Sequence, residues 1–593
     1  MFKNNALLHY HLAVHSWEQH TFRVTLSIPA HDSNTLSLTL PAWIPGSYMI
    51  RDFARQIIRL QATDENGTVL LSHKQDKQTW EIATHGQPVQ ISYDVFAFDL
   101  SVRSAYINDE YAFCNGTSVF LQIKEATHLP CTLTINAPED TAKSVHTSMA
   151  QIPDTAFTYN AGNYDELIDH PIFIGRCVTR DIVVNDVTFT LLFSGEPVLA
   201  LDRIARDLVP VCEHHMQLFG DPQPIQHYLF MTLLSSSGFG GLEHRNSTAL
   251  LFPRGDLPMP GEEGTTDSYI NFLSLCSHEL FHTWNVKRIK PALMVAPDLS
   301  KEAYTPQLWI YEGFTSFYDD LTLARSGVVS PQKYLDILSA HLTRVLQGAG
   351  RHKQSAAESS FDAWTRFYKQ DANSPNHIVS YYTKGGIIAF GLDLLLRRKS
   401  DGRVSLDTLM QHLWNDYGKD ESGTPDEVIE SLCHRAFGID VSDYLSAVVY
   451  GTEDVPLQEY LSDIGLALHF RCRQSSDDKG GHKPDSTGNR HQLGASVKSA
   501  AMGVTVLQVA EGLAAEQAGL QINDTIIAAD GTVVDDKLLQ RYLNASASAS
   551  LSLTVARDGR LIHCDLPVLR AREDVGYFTI EDTQRFERWL GLI

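Results

Sequence analysis

Two histidines four residues apart, His278 and His282, bracket the run His278-Glu279-Leu280-Phe281-His282. On a helix, residues i and i+4 share a face, so both imidazoles can reach one divalent cation. Glu279, adjacent to the first histidine, is placed to accept a proton from a water that such an ion activates. The bland alternative is a surface helix carrying two solvated histidines. Thirty residues on, Trp309-Ile-Tyr-Glu312-Gly-Phe sets a carboxylate among aromatic side chains. That is a costly place for a charge unless a cation meets it. His278, His282 and Glu312 would offer Zn²⁺ two nitrogens and one oxygen and leave one position for water, the ligand set of a catalytic site. Asp319, seven residues after Glu312, returns to the same helical face and can orient a ligand imidazole. Its alternative reading is an ordinary solvated aspartate beside Asp320.

The elements that must position these residues follow from periodicity. Up to about residue 180, apolar residues alternate with polar ones, as in Phe22, Val24, Leu26 and Ile28, and again in Val89, Ile91, Tyr93 and Val95. This predicts an antiparallel sheet or sandwich. Pro41-Ala-Trp-Ile-Pro-Gly-Ser-Tyr48 interrupts it as a rigid turn. From about 185 the period becomes helical, with helices expected near 199–218, 267–288, 306–325, 331–348, 378–398 and 405–417. One strand is expected among them, near 228–234. Between 473 and 492 almost nothing is apolar, which predicts a flexible loop or linker. Short strands return afterwards, with Asp530-Gly531 and Asp558-Gly559 as hairpin turns.

Composition narrows the partners. The 593 residues carry 48 Lys and Arg against 71 Asp and Glu, a net charge of −23. Such a chain is no generic nucleic-acid binder, and it is not drawn to an anionic membrane surface. No stretch reaches the roughly 18–20 apolar residues of a membrane span. Eight scattered cysteines, with no Cys-x-x-Cys, fit reduced thiols and a cytoplasmic protein.

The paired histidines, the distal Glu312 and its Trp-x-x-Glu-Gly-Phe setting resemble the gluzincin metallopeptidases, whose catalytic domain is thermolysin-like. Gly240-Gly241-Leu242-Glu243-His244 resembles the exopeptidase motif of aminopeptidase N, with Leu242 and His244 as departures. Tyr382-Thr383-Lys384-Gly385 resembles the segment holding the catalytic tyrosine of those enzymes. Together with the early Pro-Gly-Ser-Tyr turn and the carboxy-terminal part, the chain is similar over nearly its whole length to glycyl aminopeptidases that carry a PDZ domain.

The resemblance implies one zinc ion per chain on His278, His282 and Glu312, and Glu279 as general base. It makes Tyr382 the donor to the developing oxyanion, with Tyr381 as rival. Glu243 would bind the free α-ammonium of a peptide, beside Gly240 and Gly241. His244 is open to two readings, a substrate contact and a hydrogen-bonded loop histidine. Removal of amino-terminal glycine, and next alanine, from peptides is the implied activity. A thermolysin-like endopeptidase and a non-catalytic PDZ adaptor are the alternatives.

In the last part, Glu511-Gly-Leu-Ala-Ala-Glu-Gln-Ala-Gly-Leu520 and Asn523 to Gly531 resemble the PDZ signature. That implies a groove for a peptide or carboxy terminus, with an idle docking domain as the alternative. The expected architecture is multidomain α+β. It comprises an amino-terminal antiparallel β-sandwich-like domain (1–184), a mainly helical thermolysin-like catalytic domain (185–458), a PDZ-like domain (459–570) and an amphipathic tail (571–593) that packs on its own chain.

Overall fold

Alternating strands open the chain, and they pair antiparallel as expected, except that Leu8–Ser16 runs parallel to Cys131–Ile135. The computed structural model describes residues 2, 6–136, 140, 143–475, 478–481, 483 and 488–593. Contacts divide it into two units, residues 1–303 with 413–424, and residues 304–412 with 425–593.

In the first unit, Leu8–Ser16 and Thr21–Ile28 form a hairpin at the heart of a seven-stranded sheet, with Val89–Phe96 against the second strand. Tyr10, Leu12, Phe22, Val24, Leu26 and Ile91 point inward and are fully buried. Two four-stranded sheets complete this β part.

A five-stranded sheet follows, in the order Cys177–Val184, Val187–Ser194, His227–Ser235, Ser247–Pro253 and Gly240–Glu243. The middle pairings are parallel and the outer two antiparallel. Beyond residue 185 one strand was expected, and four of the sheet's five strands lie there. Ser247–Pro253 hid because it is buried on both faces and so does not alternate. Gly240–Glu243 hid because it starts with two glycines. Residue 184, the expected end of the amino-terminal domain, lies inside the first hairpin of this sheet.

Helix 201–219 lies beside helix 267–281, joined by His215 Nε2 and Ser277 Oγ at 2.9 Å. The latter helix starts where Thr266 accepts from Tyr269 N through its side chain (3.1 Å), a sound N-cap.

The second unit is helical at first. A wide turn at Trp309–Gly313 runs into helix Phe314–Arg325, followed by Pro331–Gln347 and Thr383–Lys399. Gly313 and Gly385 let two of these helices touch by backbone. A Cβ on Gly313 would lie 2.6 Å from the Gly385 Cα.

A six-stranded sheet with helix Asp536–Ala545 forms the PDZ-like part, in which Ala495–Ser499 is an edge strand. Of the expected linker at 473–492, residues 476, 477, 482 and 484–487 lie outside the described set. The tail returns to its own chain. Val575–Ile580 pairs with Leu466–Arg471, and Trp589 Nε1 donates to Asp393 (2.7 Å). Among the described residues no helix is long and apolar enough to cross a membrane.

Candidate active site

The last turn of helix 267–281 carries His278 and Glu279, and His282 caps it. The two imidazoles stand 4.7 Å apart, nearly perpendicular. His282 is 1 % exposed, which excludes the solvated-histidine reading for it. Its Nδ1 lies 2.9 Å from the Asn285 carbonyl oxygen. A carbonyl only accepts, so Nδ1 carries the proton and Nε2 keeps its lone pair. That is the tautomer a metal-binding imidazole requires.

Glu279 is buried, and strand Gly240–Glu243 passes directly over it. A Cβ on Gly241 would lie 2.7 Å from Glu279 Cγ and closer still to its carboxyl group. The bareness of Gly241 therefore makes room for the carboxylate. Arg103 holds this strand, donating from Nη2 to Gly241 O (3.3 Å). Tyr228 donates to the Glu279 backbone oxygen (3.1 Å). Burial, with the Glu279 charge adding to it, drives the Tyr228 phenol well above its ordinary pKa and keeps it protonated.

Glu243 ends the same strand. It is 4 % exposed, and its Oε1 has no hydrogen-bond partner among the described residues. Glu243, Glu279 and His282 offer ligand atoms within 4.8 Å of one another. Two acidic groups this close, away from water, favour a cation between them.

His244 turns to a different partner. Its Nδ1 is 3.1 Å from Asp169, which also accepts from Lys287 Nζ (2.8 Å) and Arg245 N (3.1 Å). Burial opposes ionisation of Asp169, but the Lys287 ammonium and His244 hold its carboxyl well below the usual range. His244 is thus hydrogen-bonded through Nδ1 beside the end of the strand, and its Nε2 has no partner among the described residues. Asp169 and Lys287 carry no signal in the sequence.

In the second unit, Glu312 is 2 % exposed, one residue before the Gly313–Gly385 crossing. Tyr382 is three residues before Gly385, so the crossing fixes the spacing of both. Burial first, and the charge of Glu312 second, push the Tyr382 phenol well above its ordinary pKa. Tyr368 and Tyr382 share a hydrogen bond (3.4 Å), and Phe367 stacks on the Tyr382 ring at 5.5 Å. Tyr382 is partly exposed, whereas Tyr381 is fully buried. Asp319 is 8 % exposed, so it is no solvated surface aspartate, and its Oδ1 accepts from Asp320 N (2.6 Å).

Comparison with known proteins matches this layout. Residues 9–176 match the peptidase M61 N-terminal domain, 271–388 the M61 glycyl aminopeptidase domain and 491–568 a PDZ domain. A solved protein of the aminopeptidase N family from Idiomarina loihiensis is 38 % identical, with TM-score 0.94. The match covers 98 % of this chain and 100 % of that one. The chain belongs to the M61 glycyl aminopeptidase family.

Two solved structures further away are an M1 zinc metallopeptidase from Deinococcus radiodurans and yeast LTA4 hydrolase with bestatin. The first is 13 % identical over 77 % of this chain and 96 % of its own, with TM-score 0.47. The second is 14 % identical over 77 % and 69 %, with TM-score 0.46. Among curated proteins there is no match. This M61 chain therefore joins an amino-terminal β domain, a helical glycyl aminopeptidase region and a PDZ domain.

Proposed function

We propose that the protein is a cytoplasmic zinc aminopeptidase that removes small first residues, glycine before alanine, from peptides with a free amino terminus. The observation that carries this reading is the buried Glu243 carboxylate beside Glu279 and His282, whose Oε1 has no hydrogen-bond partner among the described residues. An unpaired buried carboxylate is costly, and a substrate ammonium supplies the missing charge. An internal peptide has no such group to offer, so the anchor makes an exopeptidase.

His278 and His282 fit a zinc ion by their donor chemistry, since the bond from Nδ1 to Asn285 O makes Nε2 of His282 the lone-pair nitrogen, and Glu312 is the third ligand of the set. One ion per chain, when bound, supplies Lewis acidity toward the scissile carbonyl and its attacking water. The chain's own residues do the rest. Glu279 takes the water's proton and passes it to the leaving amine. Tyr382, kept protonated by burial and the Glu312 charge, donates to the developing oxyanion. Its partial exposure favours it over buried Tyr381. Asp319, on the helix that follows Glu312, is the group assigned to orient a ligand imidazole. Gly240 and Gly241 keep the substrate strand bare.

The PDZ-like part has an edge strand, Ala495–Ser499, to which an extended peptide or carboxy terminus can add. We set the first domain boundary before Cys177, because 177–194 is one hairpin. The later divisions stay at 458 and 570.

The test is hydrolysis of glycyl and alanyl chromogenic amides, free and acetylated, with and without a chelator. We expect turnover of free substrates only, lost on chelation and restored by Zn²⁺. Cleavage of acetylated substrates at the same rate would make the protein an endopeptidase.

A further inference from the structure

The turn at Pro41 to Tyr48 has no part in the chemistry above, yet its tip is built with unusual constraint. Ser47 N donates to Ile44 O (3.0 Å), so Pro45 and Gly46 occupy the central positions of a four-residue turn. Gly46 has φ +93°, the left-handed conformation that a type II turn requires at its third residue. The flanks are pinned. Ala42 N donates to Leu299 O (2.7 Å), Trp43 Nε1 to Lys301 O (2.8 Å) and Arg51 Nη2 to Ser47 Oγ (2.7 Å). Trp43 and Ser47 are wholly buried.

The tip meets Glu243. A methyl group on Gly46 would lie 2.5 Å from Glu243 Oε1 and 2.7 Å from Cδ. The Gly46 α-carbon, one bond back, is therefore within about 4 Å of that oxygen. An ammonium held by the same carboxylate carries its own α-carbon one bond away and its side chain one bond further. The first side-chain carbon of the substrate thus falls within about 6 Å of Glu243 Oε1. The turn fills one side of that space.

We propose that the Pro45-Gly46-Ser47 turn is the wall that limits the first residue's side chain, which makes Gly46 a specificity-determining residue contributed by the amino-terminal β domain. The inference rests on Glu243 as the ammonium anchor. Two constraints converge on one glycine: the turn needs positive φ, and the anchor needs the space of the missing methyl.

The experiment compares kcat/KM on glycyl, alanyl and leucyl p-nitroanilides for the wild type, Gly46→Ala and Ser47→Ala, with thermal unfolding of each. Gly46→Ala sets a methyl 2.5 Å from Glu243 Oε1 and so lowers turnover of every free-amine substrate. By narrowing the space beside the anchor it lowers the alanyl-to-glycyl ratio about tenfold besides, the discrimination a single methyl group commonly provides. Ser47→Ala releases Arg51, unpins the tip and moves the ratio the other way. If Gly46→Ala does not fold, the Ser47→Ala ratio decides alone. Equal losses on glycyl and alanyl substrates, or ratios that stay at the wild-type value, overturn the inference. A wild-type enzyme indifferent to acetylation of the amino terminus overturns the anchor reading, and this inference with it. A wild type that needs the free amine, with ratios unmoved in the variants, overturns this inference alone.

Discussion

Gly241→Ala separates a positioned general base from one that is merely nearby. The added Cβ would sit 2.7 Å from Glu279 Cγ. Ordinary contact between carbons begins near 3.5 Å, so Cγ must withdraw by about 0.8 Å and the carboxyl group, which lies closer still, by about 1 Å or more. The strand is the stiffer partner. Gly241 pairs with Leu250 in the sheet, and its carbonyl is held by Arg103 at 3.3 Å. The Glu279 side chain therefore moves. A misplacement of about 1 Å costs roughly 100-fold in rate, equivalent to about 2.7 kcal/mol in the barrier.

We expect kcat on a glycyl p-nitroanilide to fall about 100-fold. Zinc content and unfolding temperature should stay near wild type, since neither depends on where the carboxylate points. Gly240→Ala is the matched control. Its Cβ would meet Arg103 Nη1 at 3.5 Å, an ordinary contact, and a loss below about fivefold is expected. Equal activity in the two variants would refute the reasoning, because Glu279 would then tolerate displacement.

Glu279→Gln should retain zinc and lose about 100- to 10,000-fold in kcat, measured with metal content on the same sample; near-full activity would remove the general-base role. Tyr382→Phe should lower kcat about 100- to 1,000-fold with KM little changed. Tyr381→Phe should leave kcat near wild type, and the opposite pattern would exchange the two roles. Asp169→Asn breaks the buried Lys287 and His244 contacts and should cost about 3 kcal/mol in urea unfolding at pH 7. The folded carboxyl sits below its unfolded value of about 3.9, so its contribution is full above that pH and falls away on acidification. The gap between wild type and variant should then close as pH drops below about 4; a gap that is constant with pH would mean Asp169 acts only through packing.

What was legible in the sequence was local. Helical spacing places His278 and His282 on one face without any knowledge of the rest of the chain, and alternation marks the first hairpin. The central sheet was mostly invisible, because Ser247–Pro253 is apolar throughout and its period is lost where both faces are buried. Asp169 looked like any other aspartate, since its partners are 75 and 118 residues away. The glycines show most clearly where reading fails. Gly241 was read as part of a substrate-binding motif, Gly46 as a turn residue and Gly313 as a neighbour of Glu312. Each is bare for a second reason, the approach of Glu279, of Glu243 and of Gly385 respectively. A ligand residue announces its chemistry by its side chain, whereas a close approach is recorded only as a missing one. Spacing along one helix can therefore suggest which groups hold a metal, but the precision with which the base and the anchor are aimed is written in glycines whose cause lies in a distant segment.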